Sequence, residues 1–97
     1  MHKFILLYKG PVPQPDASHE GWPEWFAKIG DKLVDRGSPM LNGQVIETAG
    51  LSTDKATSLN GYSIIQAEDC GAVQDLLKDH PYLTQGEAYT IEIFELA

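Results

Sequence analysis

Apolar residues recur in four short segments with the spacing and length typical of β-strands. In the first segment Phe4, Leu6 and Tyr8 point to one face, while Ile5 and Leu7 point to the other. We therefore expect both faces of this strand to pack against other apolar residues. The predicted strands are His2–Lys9, Met40–Thr48, Tyr62–Ala67 and Tyr89–Leu96.

Two further segments have the periodicity of amphipathic helices. The first is predicted from Pro23, which is tolerated in a first turn, to Gly37, which can form a left-handed cap. The second runs from Cys70 to Asp79, with Asp69 as its N-cap. The apolar stripe of the first helix consists of Trp22, Trp25, Phe26, Ile29 and Leu33.

This order of elements is βαββαβ, with a Ser/Thr-rich loop predicted over Ala49–Leu59. It predicts an α+β, ferredoxin-like fold over residues 1–97, in which two helices cover one face of a four-stranded antiparallel sheet. Ile64 and Ile65 point to opposite faces, so the uncovered face is also apolar. We therefore expect a homodimer that packs sheet to sheet.

The length, net charge and cysteine content of the chain limit the kinds of molecule that it is expected to bind and its expected location. The chain has 97 residues, enough for one domain with a thin core. Its formal net charge of −7 disfavours nucleic acids and anionic membranes and favours neutral or cationic ligands. Cys70 is the only cysteine, and no segment has the length of a membrane span, so a cytoplasmic location is expected.

Candidate catalytic residues are few. His80 is the first candidate, since a histidine can transfer protons at neutral pH and its position at a helix C-terminus favours the protonated ring. Asp16, His19 and Tyr82 are candidate helpers. The alternatives are a His80 that caps the helix carbonyls and a solvated loop that contains Asp16, His19 and Glu20. The histidine spacing matches no metal motif, and we expect neither metal nor cofactor.

Aromatic residues provide candidate contacts for a flat organic ligand. Trp22, Tyr62 and Tyr82 are predicted to contact substrate, with Trp22 at the mouth of a pocket. Trp25 and Phe26 belong to the same aromatic set, but core packing explains these two without a ligand.

Several segments in this order resemble the YCII-related family, which includes the DGPF-type domains and belongs to the dimeric α/β-barrel superfamily. The resemblance implies a ferredoxin-like subunit that pairs into a barrel-like dimer. The segments that carry it are Lys3–Tyr8, Leu33–Gly37, Asn60–Ile65, Asp79–Leu83 and Ile91–Glu95.

Proteins similar to the family's namesake carry a helix histidine and an aspartate before a Pro-Tyr pair, proposed as an acid/base dyad. In this chain Trp25 and His80 stand at those positions, and the DGPF signature is absent from the predicted loop. Two functions follow as hypotheses. One is a small enzyme of proton-transfer, lyase or hydrolase type acting on a compact organic molecule; the other is a non-catalytic ligand-binding or regulatory accessory dimer.

Overall fold

The computed structural model describes residues 1–11, 21–52 and 56–97. It contains six strands, two α-helices and two 3-10 helices. In chain order these are β1 (His2–Lys9), α1 (Trp22–Ile29), a 3-10 helix (Gly30–Lys32), β2 (Leu33–Pro39), β3 (Val45–Glu47), β4 (Gly50–Ser52), β5 (Leu59–Ala67), α2 (Cys70–Leu77), a second 3-10 helix (Pro81–Gln85) and β6 (Thr90–Glu95).

Four of the strands form one antiparallel sheet in the order β2-β5-β1-β6. This strand order is that of a ferredoxin-like sheet, so the predicted α+β class and the four-stranded antiparallel sheet are confirmed. Both helices lie on the same side, because residues of α1 and α2 share one core with Phe4, Leu6 and Tyr8 of β1. The bounds predicted for the first strand are those observed.

The predicted extent of the first helix is wrong. The helix ends at Ile29, because Gly30 takes a positive φ of 57° and its N–H bonds to the carbonyl of Phe26. After one 3-10 turn, Leu33 is extended and pairs with Ile65. Leu33 therefore reaches the core from a strand rather than from the helix.

The predicted second strand and the loop after it are also displaced. One edge strand of the sheet is β2, and it precedes the predicted segment Met40–Thr48. That segment contains β3, which pairs only with β4 in a separate two-stranded sheet, so a strand lies inside the predicted loop. An edge strand is only partly covered by neighbouring elements, so it can carry many polar residues. A search for alternating apolar residues therefore does not detect β2.

The second helix begins as predicted. Asp69 has extended backbone angles, and its carboxylate accepts a 2.8 Å hydrogen bond from the N–H of Ala72. The helix ends at Leu77, two residues earlier than predicted. Among the described residues, no helix has the length and apolar character that crossing a bilayer requires.

None of the described helices lies on the second face of the sheet, which we call the helix-free face. Its apolar residues alternate along the strands with core residues, and cross-strand pairing places Ile5 opposite both Ile64 and Phe94. Phe94 is 53% exposed. The smallest dimension of the protein, 21 Å, is that of one helix layer on one sheet. The apolar members of the face are Ile5, Leu7, Tyr62, Ile64 and Phe94.

Gly37 generates the first prediction. Its φ is 79°, and a Cβ there would lie 1.6 Å from the carbonyl oxygen of Tyr62. Gly30 also has a positive φ but has nothing within 4 Å of a Cβ. We expect Gly37→Ala to lower the free energy of unfolding by at least about 2 kcal/mol more than Gly30→Ala, since only the former adds a backbone clash. Urea unfolding followed by tryptophan fluorescence measures this, and equal losses would contradict it.

Candidate functional site

His80 lies in the turn between α2 and the second 3-10 helix, with a fully buried side chain. Its backbone is extended, and its Nδ1 accepts a 3.0 Å hydrogen bond from the N–H of Tyr82. The ring therefore caps the start of the following 3-10 helix. The alternative prediction, a cap on the carbonyls of the preceding helix, is not the observed geometry of this ring.

A line of buried hydrogen bonds starts at the other nitrogen of His80. Because Nδ1 is an acceptor, the neutral ring carries its proton on Nε2, which lies 3.2 Å from the hydroxyl of Tyr8. The Tyr8 hydroxyl donates to Ser63 Oγ over 2.9 Å, and Ser63 Oγ donates to the carbonyl of Arg36 over 2.8 Å. We call this series the His80 chain. In this series each group donates a hydrogen bond to the next one, in the direction from His80 to the carbonyl of Arg36.

Burial sets the charge states in the His80 chain. Desolvation lowers the pKa of His80 to about 3, although the neighbouring carboxylate of Asp79 acts in the opposite direction. Burial also raises the pKa of Tyr8 to about 12. The expectation that the helix C-terminus favours a protonated His80 is therefore wrong, because loss of water outweighs the helix dipole. At neutral pH both side chains are uncharged.

Aromatic rings enclose His80. The centroid of the His80 ring lies 4.1 Å from that of Trp25, 4.7 Å from that of Trp22 and 5.2 Å from that of Tyr8. The indole N–H of Trp25 donates to the carbonyl of Leu76 over 3.0 Å. The polar groups of Trp25 and His80 are thus all engaged within the protein.

Trp22 differs from Trp25 in its exposure. It is half-buried, packs edge-on against Tyr8 and lies 6.3 Å from the ring of Tyr82. Trp22 therefore lies at the edge of the aromatic cluster and joins it to the surface.

The other predicted site residues fall in different places. Tyr82 is buried beside Trp22, and its hydroxyl accepts a 2.9 Å hydrogen bond from Asn60. Tyr62 lies on the helix-free face, opposite Leu7, so the sheet separates it from Trp22 and Tyr82. Asp16 and His19 lie outside the described residues. The structure brings together Trp22, Tyr82 and His80.

Asn60 is a member of this region that the sequence analysis missed. Its Nδ2 lies 3.2 Å from the carbonyl oxygen of Gly10, 2.9 Å from that of Pro11 and 2.9 Å from the hydroxyl of Tyr82. Its amide thus connects the start of β5 to the end of β1 and to the second 3-10 helix. Its sequence signal, an Asn-Gly pair before an apolar run, is more typical of a turn.

Metal ligands do not gather in the part of the chain that the structure describes: no three His, Cys, Asp or Glu side chains cluster there. Cys70 is exposed. Comparisons with protein-family models, with curated proteins and with solved structures found no match. The resemblance to the YCII-related family therefore stays a prediction, and the site is interpreted from its own geometry.

The buried neutral His80 predicts a specific dependence of stability on pH. Unfolded histidine binds a proton below about pH 6.5, whereas folded His80 stays neutral down to about pH 3. The unfolded state thus binds more protons, and the free energy of unfolding falls as pH falls through this window by up to about 1.4 kcal/mol per pH unit.

We expect His80→Asn to remove this contribution while the carboxylates titrate as before. Urea unfolding at intervals between pH 7.5 and pH 4.5 compares the two proteins. A wild-type slope no steeper than that of the variant would contradict the prediction.

Proposed function

We propose that this protein is a cytoplasmic homodimer related to the YCII family that binds a small organic molecule without transforming it, as an accessory or regulatory protein. The single observation that carries the proposal is the close contact between the tilted rings of Trp25 and His80, whose centroids lie 4.1 Å apart. These are the two positions at which the family resemblance implies the acid/base dyad.

Neither residue of the pair is equipped for proton transfer with a ligand at neutral pH. Trp25 has no titratable group, and its N–H is bonded to a backbone carbonyl. His80 is fully buried, uses both ring nitrogens within the protein and has a pKa of about 3. A general base needs a pKa near the working pH and access to the proton it takes. These facts support binding over catalysis.

Trp22 is the proposed ligand contact, and the buried ring of Tyr82 lies beside it within the protein. Trp22 offers a half-buried indole ring at the edge of the aromatic cluster, which suits a flat ligand. The net charge of −7 favours a neutral or cationic molecule. Tyr62 stays a candidate contact only at the boundary between subunits, since it lies on the helix-free face.

The competing hypothesis is the small proton-transfer, lyase or hydrolase enzyme, with His80 as acid or base and Asp16 and His19 as helpers. One observation favours it: the His80 chain links an imidazole to two hydroxyl groups in a continuous series. Such a series could pass a proton if a ligand or a movement uncovered His80. The two hypotheses differ in whether a bound molecule is chemically changed.

A ligand screen distinguishes the binding hypothesis from the enzyme hypothesis. We expect ligand-observed NMR with a library of small aromatic compounds and carboxylic acids to find binders that stay unchanged over hours of incubation. Trp22→Ala should weaken binding at least tenfold, because it removes the half-buried ring at the edge of the aromatic cluster. Leu83→Ala, a truncation at another partly exposed apolar side chain, is the matched control. A product that forms with wild type, and not with a folded His80→Asn variant, would establish the enzyme hypothesis instead.

The proposed dimer rests on the helix-free face. A sheet with one apolar face bare exposes side chains that a second subunit can cover. The lone cysteine, which leaves no internal disulfide, supports a reducing compartment.

We expect wild type to be dimeric at micromolar concentration in size-exclusion chromatography with light scattering. Phe94→Asp should raise the dimer dissociation constant at least tenfold, since it introduces a charge into the apolar face. Leu83→Asp, the same change on the second 3-10 helix, should not alter the dissociation constant. A monomeric wild type would overturn the dimer.

A further inference from the structure

Arg36, the only arginine of the chain, lies at an irregularity in the edge strand β2. Arg36 and Gly37 together stand opposite the single residue Ser63 of β5. The pairs on either side are Asp35 with Ile64 and Ser38 with Tyr62. Two residues against one form a β-bulge, a feature that changes the direction of a side chain and is common beside functional sites.

Specific contacts hold the backbone of this bulge. The carbonyl of Arg36 accepts the 2.8 Å hydrogen bond from Ser63 Oγ that ends the His80 chain. The N–H of Gly37 donates to Asp35 Oδ1 over 2.8 Å, and the φ of Gly37, 79°, is one that favours glycine. The backbone is therefore fixed on both sides of the Arg36 side chain, and the direction of that side chain is set by the fold.

The Arg36 side chain lies over the ring of Phe26, with Cζ 4.9 Å from the ring centroid. The centroid of Phe26 lies 5.8 Å from that of Trp22. Arg36 and Trp22 thus contact the same ring, one with a cation and the other with a half-buried indole. We call these three residues the Arg36 site.

The guanidinium of Arg36 can reach a ligand, because the residue is exposed. A guanidinium that lies over a ring keeps its N–H donors in its own plane, where they match the two oxygens of a carboxylate. Within the described part of the chain, the ion pairs involve Lys9, Lys28 and Lys78, and no carboxylate pairs with Arg36. The site thus presents a positioned carboxylate-binding group next to aromatic rings.

Both parts of the Arg36 site suit one small molecule. Rings in contact have centroids about 4.5–7 Å apart, and a carboxylate oxygen lies about 2.8 Å from the nitrogen that donates to it. Since Trp22 and Arg36 share Phe26 as a neighbour, a ring against the indole can carry a carboxylate that reaches the guanidinium. The net charge of −7 slows the approach of an anion, but salt screens it beyond about 8 Å, and the groups in contact determine the bound state.

We propose that Arg36 selects the ligand, and that the ligand is a flat aromatic molecule that carries a carboxylate. The ligand ring packs against Trp22 and Phe26, and the carboxylate accepts two hydrogen bonds from the guanidinium. This inference rests on the proposed ligand-binding function and narrows its ligand to one chemical class.

The test compares aromatic carboxylic acids with their primary amides, which have the same ring and no charge. Benzoate with benzamide and naphthoate with naphthamide are two such pairs. In ligand-observed NMR titrations we expect wild type to bind the acids at least tenfold more tightly than the amides. Arg36→Gln should remove this preference. Lys3→Gln, which removes the same charge from an exposed position on β1, should retain it.

Arg36 also provides a direct readout on wild type. Because the chain has one arginine, a single arginine Nε–H signal in a proton–nitrogen correlation spectrum reports on this residue. The acids should shift that signal, and the amides should leave it in place. A role in packing alone would give neither this difference nor a preference for the acids.

The outcomes separate this inference from the function on which it rests. If acids and amides bind wild type equally and Trp22→Ala weakens both, selection by Arg36 is overturned and the binding function stands. The same holds if Arg36→Gln weakens acids and amides by the same factor. If no aromatic compound binds wild type, both the function and the inference are overturned.

Discussion

The fold depends on keeping one imidazole ring neutral and fully bonded inside the core. His80 accepts from the N–H of Tyr82 and reaches the hydroxyl of Tyr8, and the line of bonds ends at the carbonyl of Arg36. It thereby connects the second 3-10 helix, the central strands β1 and β5, and the edge strand β2. A buried polar series of this kind stabilises only when every member is paired, and here each one is.

The same constraint divides the molecule into two sides with different roles. On the helix side, rings pack around His80, and the half-buried Trp22 lies at the edge of this cluster. On the opposite side, no described helix covers the apolar residues of the strands, which include Ile5, Ile64 and Phe94. A ligand is therefore best sought near Trp22, and a partner subunit on the bare sheet. Both expectations follow because two short helices cover only one face of a four-stranded sheet.

Particular residues show how far sequence reasoning reaches. The alternation through Phe4, Leu6 and Tyr8 predicted β1 correctly, and the carboxylate of Asp69 predicted the start of α2. The end of the first helix was predicted at Gly37 rather than at Gly30, because either glycine can end a helix and only tertiary contacts distinguish them: Gly37 lies against the backbone of Tyr62. His80 was identified as special, but its charge state was not, because burial is set by residues distant in sequence.

The sequence by itself determined the α+β class, the central strand, the second helix and the need to cover two faces of a sheet, because those features follow from local periodicity and capping. Tertiary structure alone decided which polar atoms meet. In the sequence, Tyr8 lies 55 positions from Ser63 and 72 positions from His80. No local pattern predicts such pairings. It also decided that Tyr62 lies across the sheet from Trp22, because strand register assigns each side chain to a face.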